Sequence, residues 1–296
     1  MNHLLFHILP TLLIASLIAT TSGNVKCSSG SPLIVPKYHL MEKCHRSKVG
    51  IMAKANYTSL TSCQRLGIEK KALAFNFVPL EALKEIDRER KKNRGRDNGT
   101  EPLEPLAYTC EVLKCAEVDG GLSLVNDSRY DYYSLYAKPF PHINATCIPA
   151  TGMFFLTPHK LNYTQARAAC RNMSGVLADV VSEARTEALA QLLTGASTEA
   201  AIVALRRSNG SSFFGANGDS LDCSTYRAWA PGHPRRARLK FDCVLVTGQK
   251  TWRSTPCNQR YPALCELNPG GPYKRGSIFA SLKPINNTEA EAPNQD

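Results

Sequence analysis

Past its first two dozen residues the chain contains no apolar run long enough to cross a bilayer, which takes about 18 residues or more. Signature sequences of common catalysts are also missing. There is no Gly-x-Ser-x-Gly elbow and no His-Glu-x-x-His zinc helix, and Gly248-Gln249-Lys250-Thr251 lacks the upstream glycine and spacing of a phosphate loop. The seven histidines are scattered, and His142, His159 and His233 each stand beside a proline, as turn residues do. A secreted hydrolase would require a nucleophile and base that these residues do not supply, so no catalytic residue, cofactor or metal ligand is assigned and the expectation is a non-enzyme. Acidic residues are the scarcer charge, 25 against 36 Lys and Arg, a formal net charge of +11 that biases the protein toward acidic partners or surfaces.

What is present points outside the cell. Leu4 to Ala19 is almost wholly apolar and is followed by the small residues Thr20 to Gly23, the pattern of a signal peptide over 1–23; a retained signal anchor is the alternative. All 11 cysteines lie beyond it, as in a disulfide framework made in an oxidising compartment. Eight Asn-x-Ser/Thr sequons begin at Asn56, Asn98, Asn126, Asn144, Asn162, Asn172, Asn209 and Asn286, so a secreted, extracellular glycoprotein is expected, and secretion argues against nucleic acid as a partner. The length is that of two domains, giving an α+β chain with two disulfide-stapled units over 27–147 and 150–267 and a polar tail over 268–296.

The second unit is the more legible. Asn162 caps a helix with Gln165 three residues on, and Ala166, Ala169, Cys170 and Met173 recur at helical spacing up to Gly175. A second helix starts at Ser182 and runs through Leu189, Leu192 and Leu193 to Gly195. Ala201–Leu205, Cys243–Val246 and Tyr261–Leu267 then read as strands.

This order resembles the C-type lectin-like domain, a double-loop fold, over residues 150–267. The resemblance implies disulfides Cys170–Cys265 and Cys243–Cys257, worth about 4 to 5 and about 3 kcal/mol in a chain-entropy account, and a long loop opened by Trp229-Ala230-Pro231-Gly232. It also implies where calcium would sit, in a cage of about six to eight oxygens. Those positions read His233, Pro234 and Arg235, then Phe241, then Arg253 and Ser254; only Asp242 keeps an acid nearby. The family's ligand side chains are gone and positive charge replaces them. Arg235, Arg236, Arg238, Lys240 and Arg253 are the expected ligand-binding residues, for a sulfated or uronic glycan, an acidic protein or anionic lipid, independently of calcium; a solvated loop is the plain alternative.

In the first unit, Leu60, Cys63 and Leu66 lie on one side of a helix from about Thr58 to Gly67, Leu73, Phe75 and Phe77 alternate as in a half-buried strand, and Tyr108 to Leu113 is a second strand. That order is similar to the PAN/apple domain, a helix on an antiparallel sheet. The likeness implies Cys63–Cys110 and Cys27–Cys147, leaves Cys44 and Cys115 as a possible private pair, and finds Gly67 where the family has a further cysteine. Within a charged insertion over 79–106, Glu81 to Arg96 has eleven charged residues in sixteen, a solvated helix or disordered segment; the sharper readings are a heparin-like strip or a processing site at Arg90-Lys91-Lys92. Tyr130 to Tyr136 reads as a strand with aromatics on both faces, for core packing or for stacking on sugar.

Pairing by family leaves Cys223 unmatched, the basis for expecting a disulfide-linked homodimer. The function expected is recognition or adhesion: binding of an extracellular protein or acidic glycan, with a structural component of extracellular matrix or cuticle and a carbohydrate-binding innate-immune lectin as alternatives.

Overall fold

The computed structural model describes residues 35–93, 106–118, 121–137, 144–207, 212–216, 218–235 and 240–269. The expected signal segment over 1–23, Cys27, the C-terminal part of the charged insertion, His142, Asn98, Asn209, Asn286, Arg236, Arg238 and the tail beyond 269 lie outside them. No helix among the described residues is long and apolar enough to cross a membrane.

The N-terminal half is a five-stranded antiparallel sheet with one helix on it. Its strands are β1 (His39–Glu42), β3 (Ile51–Ala55), β4 (Ala74–Phe77), β5 (Cys110–Leu113) and β7 (Asp131–Ser134), in the order β1-β7-β4-β5-β3. A small ribbon of β2 (His45–Arg46) with β6 (Val125–Asn126) lies beside them. Helix α1 (Leu60–Glu69) begins where the Ser59 hydroxyl accepts from the Ser62 amide at 3.1 Å, and Cys63 ties it to Cys110 of β5. It runs past Gly67. A Cβ at that position would stand 2.8 Å from the Tyr38 hydroxyl, so glycine there makes room for Tyr38 and does not end the helix. Part of the charged insertion forms α2 (Leu80–Asn93), mostly exposed apart from buried Ile86 and half-buried Ala82 and Leu83 one turn before it.

Strand β4 is buried along all four residues, not half-buried as the alternation predicts. Being central, it is covered on both faces. Phe75 packs between Tyr38 and Tyr133, with centroids 4.8 and 4.9 Å away, while Asn76 points the opposite way and is fully buried. The tyrosine-rich strand is thus core packing here: Tyr132 is buried and Tyr133 stacks on Phe75. Burial of Asn76 is tolerable because it is satisfied: it accepts from Ser47 N at 3.0 Å and donates to Ser47 O at 2.7 Å and to Glu111 at 3.1 Å. Glu111 takes a two-pronged bond from Arg46 at 2.6 and 2.8 Å.

Among the described residues the C-terminal half has two four-stranded sheets, two α-helices and a short 3-10 turn, Leu221–Cys223. One sheet orders β10 (Gly175–Leu177), β15 (Leu264–Leu267), β9 (Gly152–Leu156) and β8 (Thr146–Ile148); the other orders β12 (Phe213–Phe214), β11 (Ala200–Arg207), β13 (Cys243–Thr247) and β14 (Trp252–Thr255). Helix α3 (Tyr163–Asn172) has its reciprocal capping box, Asn162 with Gln165, and α4 (Glu183–Gly195) is capped by Ser182. Gly175 does not close α3. It opens β10, and a Cβ there would meet the Glu266 carbonyl at 2.6 Å, so it permits close approach of β15. Cys170 bonds Cys265, joining α3 to β15, and Cys243 bonds Cys257. Trp252 is fully buried with its indole N–H given to Thr186, and the buried Arg185–Glu266 pair closes at 2.5 Å.

Three cysteine expectations fail. Cys147 bonds Cys115, not Cys27, because β8 turns away from the first sheet and pairs with β9, which carries Cys147 to the seam between the halves. That removes Cys115 as partner of Cys44, which is exposed and free. Cys223, read as unpaired, is itself disulfide-bonded, and the argument for a dimer bridged through it falls. The seam is also packed: Met153 and Leu267 belong to the N-terminal core, and Met153 N donates to the Tyr136 hydroxyl at 2.9 Å.

Candidate functional site

The long-loop face is shaped from β14 outward. The Ser254 amide donates to His233 Nδ1 at 2.9 Å, the Ser254 hydroxyl lies 3.0 Å from the same nitrogen, and that hydroxyl accepts from the Arg235 amide at 2.8 Å. One serine therefore fixes two residues of the loop across a cis His233–Pro234 bond. A nitrogen that accepts from a backbone N–H carries no proton of its own, so His233 is held neutral. Partial burial, followed by the nearby Arg235 and Arg253 charges, lowers its pKa in agreement with that geometry.

Beside this loop is a cleft of about 740 Å³. His233, Arg235, Phe241, Arg253 and Ser254 all line it, so five of the six positions that the family resemblance singles out are brought together, while Pro234 does not line it. Arg235 lies over the Phe241 ring, 4.9 Å from its centroid, and keeps its guanidinium exposed. Lys240 is exposed but does not line the cleft, and Arg236 and Arg238 lie outside the described residues. Asp242 faces away, toward the buried Arg207, at 3.8 Å.

Sequence reasoning missed Lys160, Glu199 and Tyr261, which also line the cleft. Lys160 arrives because its neighbour Leu161 bridges to Tyr261, and Glu199 because it leads into β11; neither has a local signal. Glu199 matters electrostatically. It is the one carboxylate among the lining residues and pairs with Arg253 at 2.9 Å while remaining largely exposed. A donor set of one engaged carboxylate among Lys160, Arg235 and Arg253 does not fit Ca²⁺, and no group of three His, Cys, Asp or Glu suited to a metal occurs among the described residues. The arrangement suits an anion with hydroxyls, for which Gln259, Tyr261 and Thr255 provide polar edges.

Comparison with known proteins finds sequence similarity across this half. The lectin C-type domain family matches residues 159–267. Lithostathine of Rattus norvegicus is 30% identical over 118 residues, which are 38% of this chain and 70% of that protein. Collectin-43 of Bos taurus is 30% identical over 110 residues, 36% of this chain but only 33% of its own length. Among solved structures, human lithostathine aligns at 20% identity with a TM-score of 0.38, covering 43% of this chain and 90% of that one.

Proposed function

The chain belongs to the C-type lectin domain family, and from that premise we propose that it is a secreted, non-enzymatic recognition protein that binds an acidic glycan or an acidic extracellular protein without calcium. One observation carries this reading. Where the family's calcium ligands are expected, the cleft gathers Lys160, Arg235 and Arg253 around a single carboxylate that is already paired. Arg235 offers its fork to a sulfate or carboxylate, and the Arg253 fork becomes available when Glu199 is displaced. The helix on an antiparallel sheet and the Cys63–Cys110 bond support an apple-like reading of the N-terminal half, and because β8 (Thr146–Ile148) already pairs with β9 of the lectin-like half, the domains divide ahead of β8.

The test uses the full chain, immobilised and challenged with heparin and with neutral mannose and galactose polymers, in calcium and in chelator, across a salt series. The expected result is heparin binding that survives chelator, weakens steeply with salt and is lost in Arg235→Ala/Arg253→Ala. Calcium-dependent capture of a neutral polymer overturns it.

A further inference from the structure

A second pocket, of about 300 Å³, opens between α3 and the β11–β12 edge, and it shares no lining residue with the basic cleft. Its floor is apolar, made by Val176, Leu177, Ala204 and Phe214. Its charged lining residues are Arg167 and Arg171, one helical turn apart on α3, and Arg206 from β11. Arg206 sits 5.5 Å from the centre of the Tyr163 ring.

All three guanidiniums are exposed, no carboxylate lines the pocket, and among the described residues none of the three arginines makes an ion pair. The buried carboxylate beneath, Asp179, is engaged by the Val181 amide at 2.9 Å and the Ala216 amide at 3.4 Å. The Tyr163 hydroxyl is spent as well, donating to Ala204 O at 3.1 Å. Three like charges held around one opening repel one another, and among the described residues no carboxylate pairs with any of them. The charged side chains of the rim offer donors only, which favours an anion over a neutral sugar, whose hydroxyls also need acceptors. The floor offers only contact for a flat apolar surface.

We propose that this pocket binds a compact amphipathic anion, a carboxylate or sulfate carried on a planar apolar body, with Arg206, Arg167 and Arg171 holding the anionic head and Val176, Leu177 and Phe214 the body. Its volume is at the lower end for small-molecule sites, which limits the occupant to roughly the size of a substituted bicyclic ring.

The experiment is calorimetric titration of the intact protein with 2-naphthoate, with 2-naphthol as the uncharged match and inorganic sulfate as the body-less anion. Binding of 2-naphthoate, weakened by about tenfold or more in Arg206→Ala and in Arg171→Ala and unchanged in Arg235→Ala/Arg253→Ala, is the expected result. The replaced arginines are exposed, and an unchanged melting temperature confirms that each variant is folded. Equal binding of 2-naphthol, equal binding of sulfate, dependence on Arg235 and Arg253, or no binding of 2-naphthoate each overturns the proposal.

Discussion

Two arginine environments in this molecule are opposites. On the face of the N-terminal sheet opposite α1, Arg46 is matched: Glu111 grips it with both oxygens, Asp127 lies 3.8 Å away, and Asn76 ties the same carboxylate into the strand pair. In the C-terminal cleft, the guanidinium of Arg235 lies over an aromatic ring, and Arg253 has a largely exposed glutamate beside it and a long bond to Gln249. A charge matched under cover holds a fold together. A charge left in the open with its neighbours spent on positioning it is poised for a partner from outside.

That contrast can be broken first at its buried end. Glu111 is 1% exposed, and Glu111→Ala leaves Arg46 without its main partner and strips a bond from Asn76. A loss of about 3 to 5 kcal/mol is expected in chemical denaturation. By the same measure Arg235→Ala should stay within about 0.5 kcal/mol of the parent; a comparable loss at both sites would erase the distinction. A finer probe is Glu199→Gln. Removing the internal competitor from Arg253 should tighten heparin binding by about two- to fivefold, the span of an exposed pair, and surface plasmon resonance reads the change. Weaker binding would mean that Glu199 orients Arg253 more than it occupies it.

The smallest effect is one of pH. The folded His233 has its pKa below the ordinary 6.5, so the unfolded chain binds the proton more readily. Stability contributed by neutral His233 is complete above that value and declines as pH falls through it toward the folded pKa. A thermal-melt series should show this decline, reduced in His233→Asn. A series identical in both proteins would remove His233 from the loop's support.

Legibility followed the range of the signal. Helix α3 was readable because its capping pair, Asn162 and Gln165, lies within four residues, and the clustering of His233, Arg235, Phe241, Arg253 and Ser254 around one cleft was anticipated only through the family resemblance. Cys115–Cys147 was not readable, since nothing local to Cys147 reveals that its strand turns toward a different sheet. Gly67 and Gly175 look like helix stops in sequence, yet each answers to an atom far along the chain, the Tyr38 hydroxyl and the Glu266 carbonyl. Lys160 and Glu199 reach the cleft only through pairings that close over long separations, the bridge from Leu161 to Tyr261 and the Glu199–Arg253 contact.

Met153 and Leu267 lie on neighbouring strands of the lectin-like half and yet complete the core of the other half, with Cys115–Cys147 riveting the same seam. Such a chain is not a string of interchangeable beads. Grafting its lectin-like portion onto another protein would expose an apolar scar, and recombination between genes would have to carry both halves together or recut the joint.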